Sequence, residues 1–153
     1  MKQTVLIVGA LAACVLVTGS ITQGAPDLSG PGMIRLTTRQ IGMAVDNRGP
    51  AGRSAGDVVL IRELLFNKGI RKTALGHADI VCTYTGSRSR QCSGTYFLPR
   101  GKIVVAGSLR YRNYFKLAVV GGTDLYDNVR GSLTVTTLGL GPRRELIIFR
   151  LVV

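Results

Sequence analysis

Tryptophan is missing from this sequence, and the other aromatic residues are few: five tyrosines and four phenylalanines in 153 residues. The chain holds a single histidine and three cysteines, and its 8 acids are outnumbered by 20 Lys and Arg. Each shortage removes a class of function. One histidine with so few cysteines cannot supply the spaced ligands of a zinc site, so no metal is expected, and no motif calls for another cofactor. The bases give a formal charge of +12, but they are scattered rather than gathered on a helix. No aromatic run of the kind that reads RNA interleaves them, so nucleic acid is not an expected partner. The simpler reading is a solvated, positively charged exterior, drawn to anionic cell-surface polymers or lipids. No apolar run reaches the roughly 20 residues of a comfortable membrane span.

The longest apolar run, Thr4 to Val17, follows Lys2 and is broken by Gly9. A short basic start, an apolar core and small residues after it read as a secretory signal over residues 1–24. Gly19, Ser20 and Gly24 are each acceptable as the last residue removed. A rival lies inside this segment: Leu11, Ala12, Ala13 and Cys14 fit a lipobox, which would place a lipid on Cys14. An uncleaved anchor is a third reading. Residues 25–32 are rich in Gly, Pro and Ser and read as a lead-in without regular structure. Residues 33–153 are short enough for one domain.

What is abundant is glycine, 20 residues, together with β-branched side chains. That composition favours short strands joined by turns. Strands are predicted over residues 33–45, with an irregularity near Gly42, and then over 57–66, 70–84, 90–98, 102–111, 115–120, 130–138 and 143–152. The polar stretch 46–56 is a long loop, the most mobile part by composition. About eight strands with short links predict a closed antiparallel β-barrel, all-β, whose interior is filled or ligand-sized.

Alternation sorts the faces of three strands. Gly76, Ala78, Ile80, Cys82 and Tyr84 point inward. Pairing Cys82 with Cys92 then brings Cys92, Gly94, Tyr96 and Leu98 inward, followed by Ile103, Val105, Gly107, Leu109 and Tyr111. A Cys82–Cys92 disulfide follows from the shared face, the opposed positions and the export signal; two free buried thiols are the alternative. Ile80, Tyr84, Tyr96, Ile103, Val105, Leu109 and Tyr111 are expected to line an apolar pocket, with glycines 76, 94 and 107 leaving room. The competing reading is that the same side chains simply fill the barrel. Almost no acids or bases fall on this inward face: most of the carboxylates read as turn or outward residues. His77 shares the outward face with Asp79, and reads as an ordinary surface histidine rather than a general base. Strands two and eight are apolar on both faces, which predicts a homo-oligomer that covers one of them.

The most distinctive stretch runs from Leu117 to Thr137. Its centre reads Val119, Val120, Gly121, Gly122, Thr123, Asp124, Leu125, Tyr126, Asp127, Asn128, Val129, Arg130, Gly131. Gly121 and Gly122 read as a tight turn. This stretch resembles the signature of the allene oxide cyclase-like and dirigent-like barrels, close to VVGGTGxYxxARG, with Gly121, Gly122, Thr123, Tyr126, Arg130 and Gly131 carrying the match. Asp124 replaces the third glycine, and Val129 the small residue before the arginine. Gly56 with Asp57, and Gly76 six residues before Cys82, fit the same family. The resemblance implies a barrel that holds a small hydrophobic molecule, assembled as a dimer or trimer. It leaves three functions open: binding or guiding such a molecule, closing a ring in a polyketide, phenolic or fatty-acid-derived intermediate by positioning it, or serving as a surface scaffold. Plant allene oxide cyclases carry a glutamate in the first strand. Residues 34–41 here contain no carboxylate, so that reaction itself is not expected.

Overall fold

The computed structural model describes residues 32–67, 73–110 and 113–152. The expected signal with Cys14, residues 25–31 of the lead-in, and Tyr111 lie outside the described residues. Eight strands close into one antiparallel barrel in sequence order: β1 Met33–Asp46, β2 Val58–Phe66, β3 Gly76–Gly86, β4 Ser89–Leu98, β5 Gly101–Arg110, β6 Tyr114–Gly122, β7 Arg130–Leu140 and β8 Arg143–Val152. β1 pairs with β8 from Met33–Arg150 to Arg39–Arg144, which closes the sheet and leaves no edge along this part of β1. Of the third strand predicted from residue 70, residues 70–72 lie outside the described residues, Thr73 to Leu75 are not strand, and β3 begins at Gly76.

Strict alternation is what places the core. Cys82 faces Cys92, Ile80 faces Gly94, and Ala78 faces Tyr96, which in turn faces Ile103. Ala78, Cys82, Tyr84, Cys92, Tyr96, Ile103, Val105 and Leu109 are all buried, as the alternation predicts. β7 and β8 add Leu133, Val135, Ile147, Phe149 and Leu151 from the other side, with Tyr96 edge-on to Phe149 at 5.1 Å between ring centres. Each such side chain contributes roughly 1.5–3 kcal/mol when fully buried.

The barrel has two unlike ends. One end is packed by Leu98, Leu125, Tyr126, Val129 and Leu151. Residue 32 sits here too, its carbonyl accepting from the Leu151 amide at 2.9 Å. The other end is the mouth, formed where β1, β3, β5 and β7 finish and their successors begin. The irregularity expected near Gly42 is present: the β1–β2 register skips between Gln40 and Gly42. Beyond it, β1 runs on with β2 to Asp46, past the point where β8 stops accompanying it.

The glycine pair does not form the predicted tight turn. Gly121 and Gly122 end β6, and the chain turns in a 3-10 helix at Asp124–Tyr126. Left-handed backbone falls instead at Asp124, φ 58°, Asn128, φ 58°, and Gly131, φ 138°. Asp and Asn tolerate that region better than most side chains. Gly122 is needed for space, because a Cβ there would strike the Tyr126 carbonyl.

Candidate functional site

The mouth opens into a vestibule of about 250 Å³ lined by Arg90, Leu109, Arg110, Asn113, Phe115, Leu140 and Arg143. Beneath it lies a small chamber of about 30 Å³. The two share Arg90, Leu109, Phe115 and Arg143, so one sits directly over the other. A chamber of that size holds about one water molecule.

Two carboxylates stand in the chamber wall, and they overturn the expectation of an interior almost without acids. Glu63 on β2 is 3% exposed and Glu145 on β8 is 5% exposed. Both flank β1, Glu63 opposite Gln40 and Glu145 opposite Thr38. β1 indeed has no carboxylate; its neighbours on either side supply them. Arg143 donates from Nε to Glu145 Oε1 at 2.7 Å and holds Nη2 at 2.7 Å from the same oxygen. Among the described residues Glu63 makes no ion pair of this kind. Its Oε2, and the buried Thr38 Oγ1, lack a hydrogen-bond partner of good geometry among the described residues.

The electrostatics follow from that asymmetry. Burial first, and the Glu145 charge second, push the Glu63 carboxyl up to about 7, while the Thr38 hydroxyl and Arg143 pull the other way. Glu63 therefore exchanges a proton near neutral pH, beside a carboxylate already paired with a guanidinium. Burial, then the charges of Glu63 and Glu145, also push the Tyr96 hydroxyl well above its ordinary range, so it remains a neutral donor.

Of the residues predicted to line a pocket, Ile80, Tyr96 and Leu109 reach the chamber, and Leu109 also reaches the vestibule. Tyr84, Ile103 and Val105 are buried in the core and are not part of the chamber lining. The space beside the three glycines is occupied. A Cβ on Gly76 would meet the Phe97 carbonyl, one on Gly94 would lie 2.9 Å from Ile80, and one on Gly107 3.1 Å from Leu117. Cys82 and Cys92 form the expected disulfide, and it lines the chamber. His77 is outside: it stacks on Phe97 at 4.3 Å and stands 3.8 Å from Asp79. Among the described residues no group of three or more His, Cys, Asp or Glu could hold a metal ion.

The rim has its own keystone. Composition makes residues 46–56 the most mobile loop, yet buried Asp57 ties it down. Its carboxylate accepts from the Ser54 amide at 2.7 Å, the Arg48 amide at 2.9 Å and the Ser54 hydroxyl at 3.1 Å. The Ser54 amide, and then that of Arg48, hold its carboxyl below the usual range. The Asp57 carbonyl in turn accepts from the Tyr84 amide, and Gly56, at φ 95°, donates to the Tyr84 carbonyl. The Gly56–Asp57 pair is thus a clasp between the loop and β3.

The sequence matches no protein-family model and no curated protein. Solved structures do match it. A pyocyanin demethylase superposes with a TM-score of 0.69 at 22% identity, over 78% of this chain and 99% of that one. A pterocarpan synthase dirigent protein gives 0.62 at 15% identity, over 78% and 91%. The Diels–Alderase AbmU of Streptomyces koyangensis gives 0.55 at 11% identity, over 77% and 68%. The chain therefore has the closed barrel found in dirigent proteins and in ring-forming enzymes. At these identities the likeness establishes the fold alone.

Proposed function

We propose that this protein is an exported, dirigent-like barrel that receives a small, largely hydrophobic molecule at its mouth and guides its reaction over Glu63. The body of the molecule rests in the vestibule against Leu109, Phe115 and Leu140, and its reacting part lies over the small chamber bounded by Ile80, Tyr96 and Leu109. The carrying observation is Glu63: a buried acid at the base of an opening, in no ion pair among the described residues, whose carboxyl burial and the Glu145 charge push up to about 7. Such a group suits general acid or base catalysis near neutral pH. Burying it without a charge partner lowers stability, which is the mark of a group kept for a task.

The barrels named above include a demethylase, a dirigent protein and a Diels–Alderase, which supports an interior that positions a reactive molecule. Ring closure in a polyketide, phenolic or fatty-acid-derived intermediate is the second reading, and Glu63 favours it by supplying the proton transfer that positioning alone lacks. The disulfide fits an oxidising compartment. A homo-oligomer is part of the same reading, and so is contact of the basic exterior with anionic cell-surface polymers or lipids.

The test is titration with the neutral apolar fluorophore N-phenyl-1-naphthylamine, using oxidised protein from pH 5 to 9. Saturable one-to-one binding at micromolar concentration is expected, with an affinity that changes through a midpoint near 7. Leu109→Trp should abolish binding and leave the fold intact; Glu63→Gln should remove the pH dependence. No saturable binding by the folded protein would leave only a scaffold role.

A further inference from the structure

The cations that lie scattered along the sequence gather on one side of the barrel. Every second residue of a strand points outward. On β6, β7, β8 and the part of β1 that pairs with β8, the outward positions carry Arg35, Arg39, Lys116, Arg130, Arg144 and Arg150, and no Asp or Glu. Strands β2 to β5 carry Arg62, Lys102 and Arg110 outward, and there Asp79 pairs with Arg62. Five of the six cations are exposed; Arg39 is half-buried, its guanidinium 5.7 Å from the centre of the Phe66 ring. None of the six makes an ion pair among the described residues.

Their arrangement is specific. Arg39 stands directly opposite Arg144 across the β1–β8 seam, and Arg35, opposite Ile148, is diagonal to Arg150. Like charges so placed lower stability, and no acid on this face relieves them. The two pairs lie roughly 13 Å apart along the seam, four residues at the rise of a strand. Lys116 is level with Arg35, across Ile148 and Thr134. Arg150 donates from Nη1 to Thr134 Oγ1 at 3.3 Å, which fixes one guanidinium in place.

Three kinds of partner would neutralise such a face, and the structure favours one. A second copy offers little negative charge, because its outward Asp46 and Asp79 already engage Arg48 and Arg62. A flat bilayer would touch only the ridge of this convex wall. The exposed large apolar residues of this half, such as Met33, Val120 and Val152, stand near strand ends, away from that ridge. A flexible chain can follow the curve from one arginine pair to the next. A phosphate group has acceptor oxygens on several sides, so two guanidiniums can bond it at once.

We propose that the outer wall of β1, β8, β7 and β6 binds a linear phosphate-bearing polymer. One phosphate sits at Arg35 and Arg150, another at Arg39 and Arg144, and Lys116 and Arg130 flank them. This gives the contact of the basic exterior a face and a partner. It makes no use of the chamber, so its failure leaves the guiding role over Glu63 standing.

The test is titration of the full oxidised protein with long-chain inorganic polyphosphate at low and moderate salt, beside vesicles of phosphatidylglycerol and phosphatidylcholine. Saturable binding to polyphosphate is expected, at least tenfold weaker at the higher salt. Arg35→Gln combined with Lys116→Gln, two exposed positions, should lose tenfold or more in affinity. Arg39→Gln combined with Arg144→Gln should lose as much, with its melting curve recorded beside it. Arg88→Gln combined with Lys102→Gln removes the same charge from the β3–β5 side and should lose less than threefold. Equal losses in this control and in the Arg35 and Lys116 pair would overturn the proposal, because overall charge would then explain the binding. Vesicles that bind more tightly than polyphosphate would overturn it too, and would make the face a membrane surface. Folded protein that binds no polyphosphate would leave the face a solvated wall.

Discussion

Glu63 carries the chemistry of the interior, and its pH behaviour has a definite sign. Its pKa rises from 4.5 to about 7 on folding. Between those values the folded chain keeps a proton that the unfolded chain has released. Stability therefore falls as pH climbs through this window, and the full penalty is present above about 7. A shift of this size corresponds to about 3 kcal/mol. Glu63→Gln is expected to match the parent protein near pH 5 and to exceed its stability near pH 8. Urea midpoints at the two pH values check this; identical pH slopes for the two proteins would contradict it. Glu63 was not legible in the sequence for a clear reason. β2 is apolar on both parities, so nothing in its own pattern says which face looks inward. Glu145 was hidden in β8 by the same ambiguity. A usable signal existed in β8, where Glu145 shares parity with Phe149, the largest side chain of that strand and fully buried. In β3 to β5, by contrast, one face is polar, and the register Cys82–Cys92 could be read directly from alternation.

At the scale of elements, the signature loop separates two adjacent glycines by cause. A Cβ on Gly121 meets nothing within 4 Å, whereas one on Gly122 would strike the Tyr126 carbonyl and lie 2.7 Å from the Lys102 carbonyl. Gly121→Ala is expected to change stability by no more than about 0.5 kcal/mol, the range of ordinary surface substitutions. Gly122→Ala should cost roughly 1–3 kcal/mol, as overpacking does. Denaturant titration of the two variants distinguishes them, and equal losses would mean that the loop relaxes. The sequence located this loop through its family pattern but not its geometry. A Gly-Gly pair suggests a turn, and only the return of Tyr126 over β6 shows that the second glycine is there for clearance. The disulfide belongs to this scale as well. Cys82 and Cys92 are separated by 10 positions across the β3–β4 hairpin, and closing a loop of this length contributes roughly 2–3 kcal/mol in the chain-entropy view. Reduction should lower the denaturant midpoint accordingly. Intact-mass analysis of unreduced protein that found two alkylatable thiols would refute the bond.

For the whole molecule, the barrel closes on itself but does not cover its outside. Leu60 and Val81 are 50% and 43% exposed, beside the β1 overhang where Met43 and Val45 are 62% and 59% exposed. Gly42 to Ala44, Leu60 to Arg62 and Asp79 to Val81 line a surface groove of about 440 Å³ here. An apolar patch next to six strand residues that lack a second neighbour favours self-association. Light scattering of residues 33–153 at micromolar concentration is expected to give a multiple of the monomer mass. Leu60→Glu should reduce it to the monomer, and a clean monomer from the parent protein would contradict the proposal. The number of strands, their order and closure were all legible, because turn residues punctuate an up-and-down chain at short intervals. The boundary between interior and outer wall was legible only where the two differ in polarity.

The chain enters the barrel beside the place where β8 ends, and both lie opposite the mouth. Residue 32 and Val152 therefore stand on the side away from the vestibule. A surface coupled to that side of the barrel leaves the opening turned toward the surrounding fluid, so that whatever enters arrives by diffusion from solution.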